Sequence, residues 1–243
     1  MNIPKSWNDV TLYQYQELSK SMKSGEDMLD IFSILLNTTP DDPIIEDMDF
    51  DYVKSEIDKL GWLSLEPVGQ LNNKIEELYI KEFKNLTLGE FIDIEHYYID
   101  AIENLHIICS ILYRKRLVNK WDNIEIEPYE YNLIDRGELF LDQPITKVVG
   151  VLSGYIEFRT NFLNSYENLF QEPENDDDFD DLTGRDKIDA EVERKNNKSK
   201  SKWSWESILL GLSNNDVTKF DELFRTSLIL VFNTLSAKKV LGV

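Results

Sequence analysis

The sequence predicts a mostly α-helical protein, and three observations carry that expectation. Apolar residues recur at helical spacing in one segment after another, as in Leu12, Tyr15, Leu18 and Met22. Short hydroxyl and carboxylate side chains stand where those segments open, and proline or glycine stands where several of them close. Alternation of the kind a strand needs is confined to "NIEIEPYEYNL", residues 123–133, which reads as a short hairpin.

The first helix is expected to begin at Thr11, whose hydroxyl can cap free amides of the next turn. A second runs over residues 27–37 and stops at "TTPDDP", because proline cannot continue the hydrogen-bond ladder. "FDYVKSEIDKLGWL" reads as a third, with Gly61 as its stop. "QLNNKIEELYIKEF" fits either a short helix or a pair of strands. Thr87 opens a helix over residues 88–100, and "AIENLHIICSILYRKR" continues as another. Pro128 keeps the following hairpin away from any central strand position. A long helix follows with Pro144 in its first turn and an apolar face through Ile145, Val148, Val149, Leu152, Tyr155, Ile156, Leu163, Tyr166 and Phe170. Gly150 and Gly154, one turn apart on it, invite close approach of another helix.

Residues 171–202 have the composition of a charged linker, acidic in "EPENDDDFDDL" and basic in "RKNNKSKSK". The expected organisation is therefore a helical domain over 1–170, a linker over 171–202 and a C-terminal helical segment over 203–243. In that last segment Asn215 or Asp216 caps a helix that turns Phe220, Leu223 and Phe224 inward, and the final helix is apolar nearly all round.

The chain also repeats itself. "WNDVTLYQYQEL" aligns with "FKNLTLGEFIDI", pairing Trp7 with Phe83, Thr11 with Thr87, Gln14 with Glu90 and Leu18 with Ile94. "IFSILL" and "ICSILY" then match in the same order. Residues 7–36 and 83–113 are either a duplicated helix pair or two helix hairpins with convergent patterning.

Composition narrows function mainly by exclusion. The chain has 46 acidic and 26 basic residues, a formal net charge of -20. A nucleic-acid binder needs a basic face, and anionic membrane attracts one, so neither is an expected partner. No secretory leader pattern opens the sequence, and no apolar run approaches the length of a membrane span. The one cysteine, Cys109, lies in the apolar run "LHIICSILY", which suits a buried thiol and a reducing compartment.

Chemistry is hard to place. Glu103 and His106 have Glu-x-x-His spacing, but a di-iron bundle needs that motif twice, with further glutamates. The stripe His96, Asp100, Glu103 and His106 is the one candidate for a single zinc ion, and a solvated face is the simpler account of it. "DDDFDD" fails as a calcium loop, since Asp181 stands where glycine is needed and Lys187 where glutamate is needed. No phosphate loop or nucleophile elbow is present. The expectation is thus no catalytic, cofactor or metal residues, with contacts made by large side chains of the C-terminal segment: Trp203, Trp205, Phe220, Phe224, Leu228 and Phe232.

Three stretches, "IPKSWNDVTLYQYQEL", "LTLGEFIDIEHYYIDAIENLHIICSILYR" and "WESILLGLSNNDVTKFDELFRTSLILVFNTLSAKK", together resemble virion-morphogenesis proteins of tailed bacteriophages. The similarity is to the crAss-like phages of Bacteroidetes, whose proteins include tail proteins and tail assembly chaperones. The resemblance implies a non-enzymatic tail component, either a ring subunit or a protein carried inside the tail. It also implies phage tail proteins as partners, a homo-oligomer within the assembly, and a virion location after assembly in host cytoplasm. An assembly chaperone left out of the finished particle is the alternative, and a small helical metalloprotein is the second.

Overall fold

The computed structural model describes residues 3–25, 28–118, 121–130, 135–170 and 205–242. It is mostly helical, 62% helix against 9% strand, with small antiparallel sheets. The linker expected over 171–202 lies outside the described residues. Two compact units are formed, Met1–Phe83 with Asp93–Arg159, and Lys84–Ile92 with Thr160–Val243. These do not follow the division into 1–170 and 203–243, because the start of the helix after Thr87 belongs with the C-terminal helices.

In the first unit, α1 (Leu12–Ser24) opens on a complete capping box. The Thr11 hydroxyl accepts from the Gln14 amide at 3.2 Å, and the Thr11 amide donates to Gln14 Oε1 at 3.0 Å. It closes on Gly25, whose φ of +72° is the left-handed conformation that glycine adopts without cost. The Gln14 amide group also donates to the Ile34 and Leu35 carbonyls at 3.0 and 3.2 Å, which satisfies acceptors at the end of α2 (Met28–Leu36). α3 (Pro43–Glu46) and α4 (Phe50–Ile57) follow. α4 ends before Gly61, which instead lies inside a 3-10 turn, Leu60–Ser64, and is not left-handed.

The ambiguous segment near residue 75 is a strand pair. β1 (Lys74–Ile75) and β2 (Leu78–Ile80) pair antiparallel, and β2 pairs with β3 (Tyr113–Arg114). α5 (Leu88–Tyr98) and α6 (Leu105–Leu112) are shorter than their sequence pattern, with residues 99–104 forming turns. β4 (Arg116–Val118) and β5 (Ile124–Ile126) make a separate two-stranded ribbon. The hairpin expected over 123–133 therefore begins earlier, at Arg116, the last residue of the segment expected as a helix.

The long C-terminal helix expected from Pro144 is divided into α8 (Ile145–Val148), α9 (Gly150–Asn164) and α10 (Glu167–Phe170), with α7 (Glu138–Leu141) before it. Its buried line runs through Ile145, Val148, Val151, Leu152, Tyr155, Phe162 and Leu169, while Ile156 is exposed. Gly150 and Gly154 admit the connection around residues 70–71 instead of a helix: a Cβ on Gly150 would lie 2.2 Å from the Gln70 carbonyl oxygen.

In the second unit, α11 (Trp205–Ser213), α12 (Phe220–Arg225) and α13 (Leu228–Leu241) join the start of α5 and the end of α9. Asp216 caps the 3-10 turn that leads into α12, its carboxylate accepting from the Thr218 amide at 3.1 Å. The core is aromatic: Phe162 meets Phe232 at a centroid distance of 4.8 Å and Phe91 meets Phe162 at 5.8 Å.

Each unit holds one copy of the same backbone device. In the first, the Leu12 amide donates to the Gln143 carbonyl at 2.8 Å and the Ile145 amide to the Val10 carbonyl at 2.9 Å. In the second, the Leu88 amide donates to Thr226 and the Leu228 amide to Leu86, both at 2.9 Å. Two helix starts thus satisfy each other's orphan amides through a single antiparallel bridge, Thr11 with Pro144 and Thr87 with Ser227. Thr87 repeats the capping box as well, its amide donating to Glu90 at 2.7 Å. The repeat read from sequence extends to this device. Residues of α5 are divided between the two units and α6 lies in the first.

Candidate interaction surface

α13 is the longest described helix of the second unit and apolar on most sides. Leu228, Val231 and Phe232 are buried at 1–3% exposure, the spacing of one helical face. Next to that face, α13 is tied to the chain before it by polar contacts. The Tyr166 hydroxyl donates to Asn233 at 2.9 Å and the Asn168 amide to Ser236 at 2.8 Å. The remaining side carries Leu230, Val240 and Leu241, exposed by 58%, 78% and 74%. Leu230, Ala237 and Leu241 fall at i, i+7 and i+11, which keeps them in one line along the helix. Lys238 and Lys239 occupy the last turn, where they complement the carbonyl end of the dipole, and Gly242 closes the helix at φ +69°.

The contact residues expected from sequence sort differently. Leu228 and Phe232 are buried in the unit's own core. Phe220 and Phe224 are half-buried; the Phe224 Cβ and carbonyl lie 3.1 Å from where a Gly89 side chain would begin. Trp203 lies outside the described residues, as does the side chain of Trp205. What sequence reasoning missed is the exposed side of the same helix. Its signal is the all-round apolar pattern, which a single buried face cannot use up.

The zinc stripe does not form. His96 is near the end of α5, Asp100 and Glu103 lie in turns, and His106 begins α6, so the four do not share one helical face. Among the described residues no group of three or more His, Cys, Asp or Glu is placed to hold a metal ion. His106 Nδ1 instead lies 3.2 Å from Gln16 Nε2, and burial, aided by Lys20, lowers the imidazole below its ordinary value. Cys109 is free and buried, and desolvation pushes its thiol far up, which disfavours the thiolate a nucleophile needs.

The other ionic features are architectural. Arg159 clamps Glu95 through two bonds of 2.7 and 2.8 Å, while the Tyr155 hydroxyl donates to the same carboxylate at 2.8 Å. Arg136 holds Glu127 at 2.7 Å, which lowers that carboxyl. Among the described residues, no helix is long and apolar enough to cross a membrane. In comparisons with known proteins, no family model, no curated protein and no solved structure matches the chain.

Proposed function

We propose that this chain is a non-enzymatic protein of a bacteriophage tail that acts through protein–protein contacts, as a ring subunit or as a protein carried inside the tail. The observation that carries this reading is the exposed apolar line of Leu230, Ala237 and Leu241, with Val240 exposed beside it, on a helix whose opposite side is already buried. Large apolar side chains aligned on a surface are what partner contacts use. The resemblance to crAss-like virion-morphogenesis proteins supplies the setting, and it rests on segments that form α1, α5, α6 and the second unit's C-terminal helices. Other tail proteins are the proposed partners and the virion the proposed location.

Mass spectrometry of purified virions tests the reading directly. Abundant peptides of this chain support a virion component, and their absence while the protein is abundant in infected cells favours the assembly chaperone. Point variants are better than truncation for locating the contact, because removing residues after 202 deletes Thr226 and Leu228 of the backbone bridge. Leu230→Asp and Leu241→Asp are expected to fold normally and to be lost from particles. Full incorporation of both variants would refute the α13 contact.

A further inference from the structure

We propose that the groove beside α1 binds an arginine side chain presented by a basic segment of a partner protein. The site lies wholly on the first unit and stands whether or not α13 makes a contact of its own.

The groove brings together the parts that hold arginine elsewhere in the chain. Arg159 lies 5.8 Å from the Tyr98 ring centroid while it clamps the Glu95 carboxylate at 2.7 and 2.8 Å. Arg116 sits 3.8 Å from the Tyr79 ring centroid. The pairing of a tyrosine ring with a carboxylate recurs in the groove as Tyr15 and Glu66, and Trp7 adds a second ring. Burial, with the Glu66 charge beside it, raises the Tyr15 hydroxyl above its ordinary value. The one basic residue among the walls, Lys23, pairs with Glu103 at 3.3 Å instead. Among the described residues Glu66 therefore has no ion-pair partner, and its side chain is exposed.

The rings are held in place before any ligand arrives. The Trp7 indole donates to the Leu65 carbonyl at 2.7 Å, and it meets Tyr15 and Trp62 edge-on at 5.2 and 4.9 Å. The recess encloses about 300 Å³, and Leu18 and Met22 line it with aliphatic surface. An arginine can lay its methylene stem along such surface and keep its charged head at the rim. Guanidinium fits better than ammonium there, because it is planar, weakly hydrated and able to stack on a ring while donating two N–H groups to one carboxylate. Charge points the same way: a chain of net charge -20 draws a basic segment toward it and repels an acidic one.

Titration of the isotope-labelled full chain with N-acetyl-arginine amide, followed through the tryptophan indole N–H signals by NMR, tests this. Trp7→Phe identifies the Trp7 signal. That signal is expected to shift with a Kd in about the millimolar range, as one cation–ring contact with a carboxylate allows. Glu66→Gln, an exposed change whose folding circular dichroism verifies, should weaken binding about tenfold, the loss typical of a charged hydrogen bond. The neutral isostere N-acetyl-citrulline amide should bind wild type more weakly by a similar factor. A Trp7 signal that does not move, or equal binding by Glu66→Gln, would overturn the proposal. Equal binding of N-acetyl-lysine amide would overturn it too, as general attraction to an acidic chain. Free arginine binding more tightly than its capped amide would mark a small-molecule site and rule out a partner segment.

Discussion

Gly150→Ala is the sharpest test of how the first unit packs, because its sign opposes the usual expectation. Alanine inside or near the start of a helix ordinarily stabilises by about 1 kcal/mol relative to glycine. Here the new Cβ would lie 2.2 Å from the Gln70 carbonyl oxygen, 2.3 Å from its carbon and 2.7 Å from the Leu71 nitrogen. All three are backbone atoms, so no rotamer change relieves the contact. Overpacking of this kind costs roughly 1–3 kcal/mol, and a backbone neighbour places it at the upper end. The net expectation is a loss of about 2 kcal/mol, which lowers the urea midpoint by about 1 M at a slope of about 2 kcal/mol/M. Gly211→Ala is the control: nothing lies within 4 Å of its added Cβ, and it sits within α11. It should gain about 1 kcal/mol. Urea unfolding followed by circular dichroism measures both. A Gly150→Ala protein as stable as wild type would refute the close approach of residues 70–71 to α9.

The two capping boxes should behave as independent copies: Thr11→Ala and Thr87→Ala each lose about 1 kcal/mol, and the double variant loses the sum. Urea titration of the three proteins checks this, and strong non-additivity would count against independence. Glu95→Gln removes the charge that Arg159 and Tyr155 share, and should cost about 2 kcal/mol, as for a charged hydrogen bond with one partner half-exposed. His106 supplies a pH signature. Its folded value is lowered, so the unfolded chain takes up the proton first as pH falls; stability is full above about 6.5 and declines on acidification from there. His106→Gln should remove that component from a stability profile measured between pH 7.5 and 5.5.

What was legible in the sequence is what local chemistry decides. Thr11 and Thr87 announce their helices because a hydroxyl followed by Gln14 or Glu90 three residues on is the pattern of a capping box. Asp216 is read correctly for the same reason. What was not legible depends on residues remote in the chain. The approach of the Gln70 backbone to Gly150 leaves no mark in the local pattern, and β1, β2 and β3 are too short to leave an alternation. Which side of α13 is buried is also set by remote residues. An all-round apolar helix announces two apolar sides, and only the partners of Leu228 and Phe232 show which one the unit consumes.

The two backbone bridges make a last prediction possible, because one carries proline where the other carries serine. Pro144 and Ser227 occupy the same place, just before the amide that donates across the bridge. The bridge bonds use Leu12, Ile145, Leu88 and Leu228 amides, so the residue at the bridge itself needs no donor. Ser227 already has φ -54°, close to the value a proline ring imposes, and its side chain makes no cap bond. Thr226 before it is extended at φ -74° and ψ 143°, as a residue preceding proline must be. Ser227→Pro should therefore be tolerated and stabilise by about 0.5–1 kcal/mol through the unfolded state. Thr226→Pro, one position earlier, removes the amide that donates to Leu223 at 3.0 Å and should destabilise. Thermal and urea unfolding of both variants decides the matter. If Ser227→Pro destabilises as much as Thr226→Pro, the two bridges are not equivalent devices, and the case for a duplicated helix start falls with them.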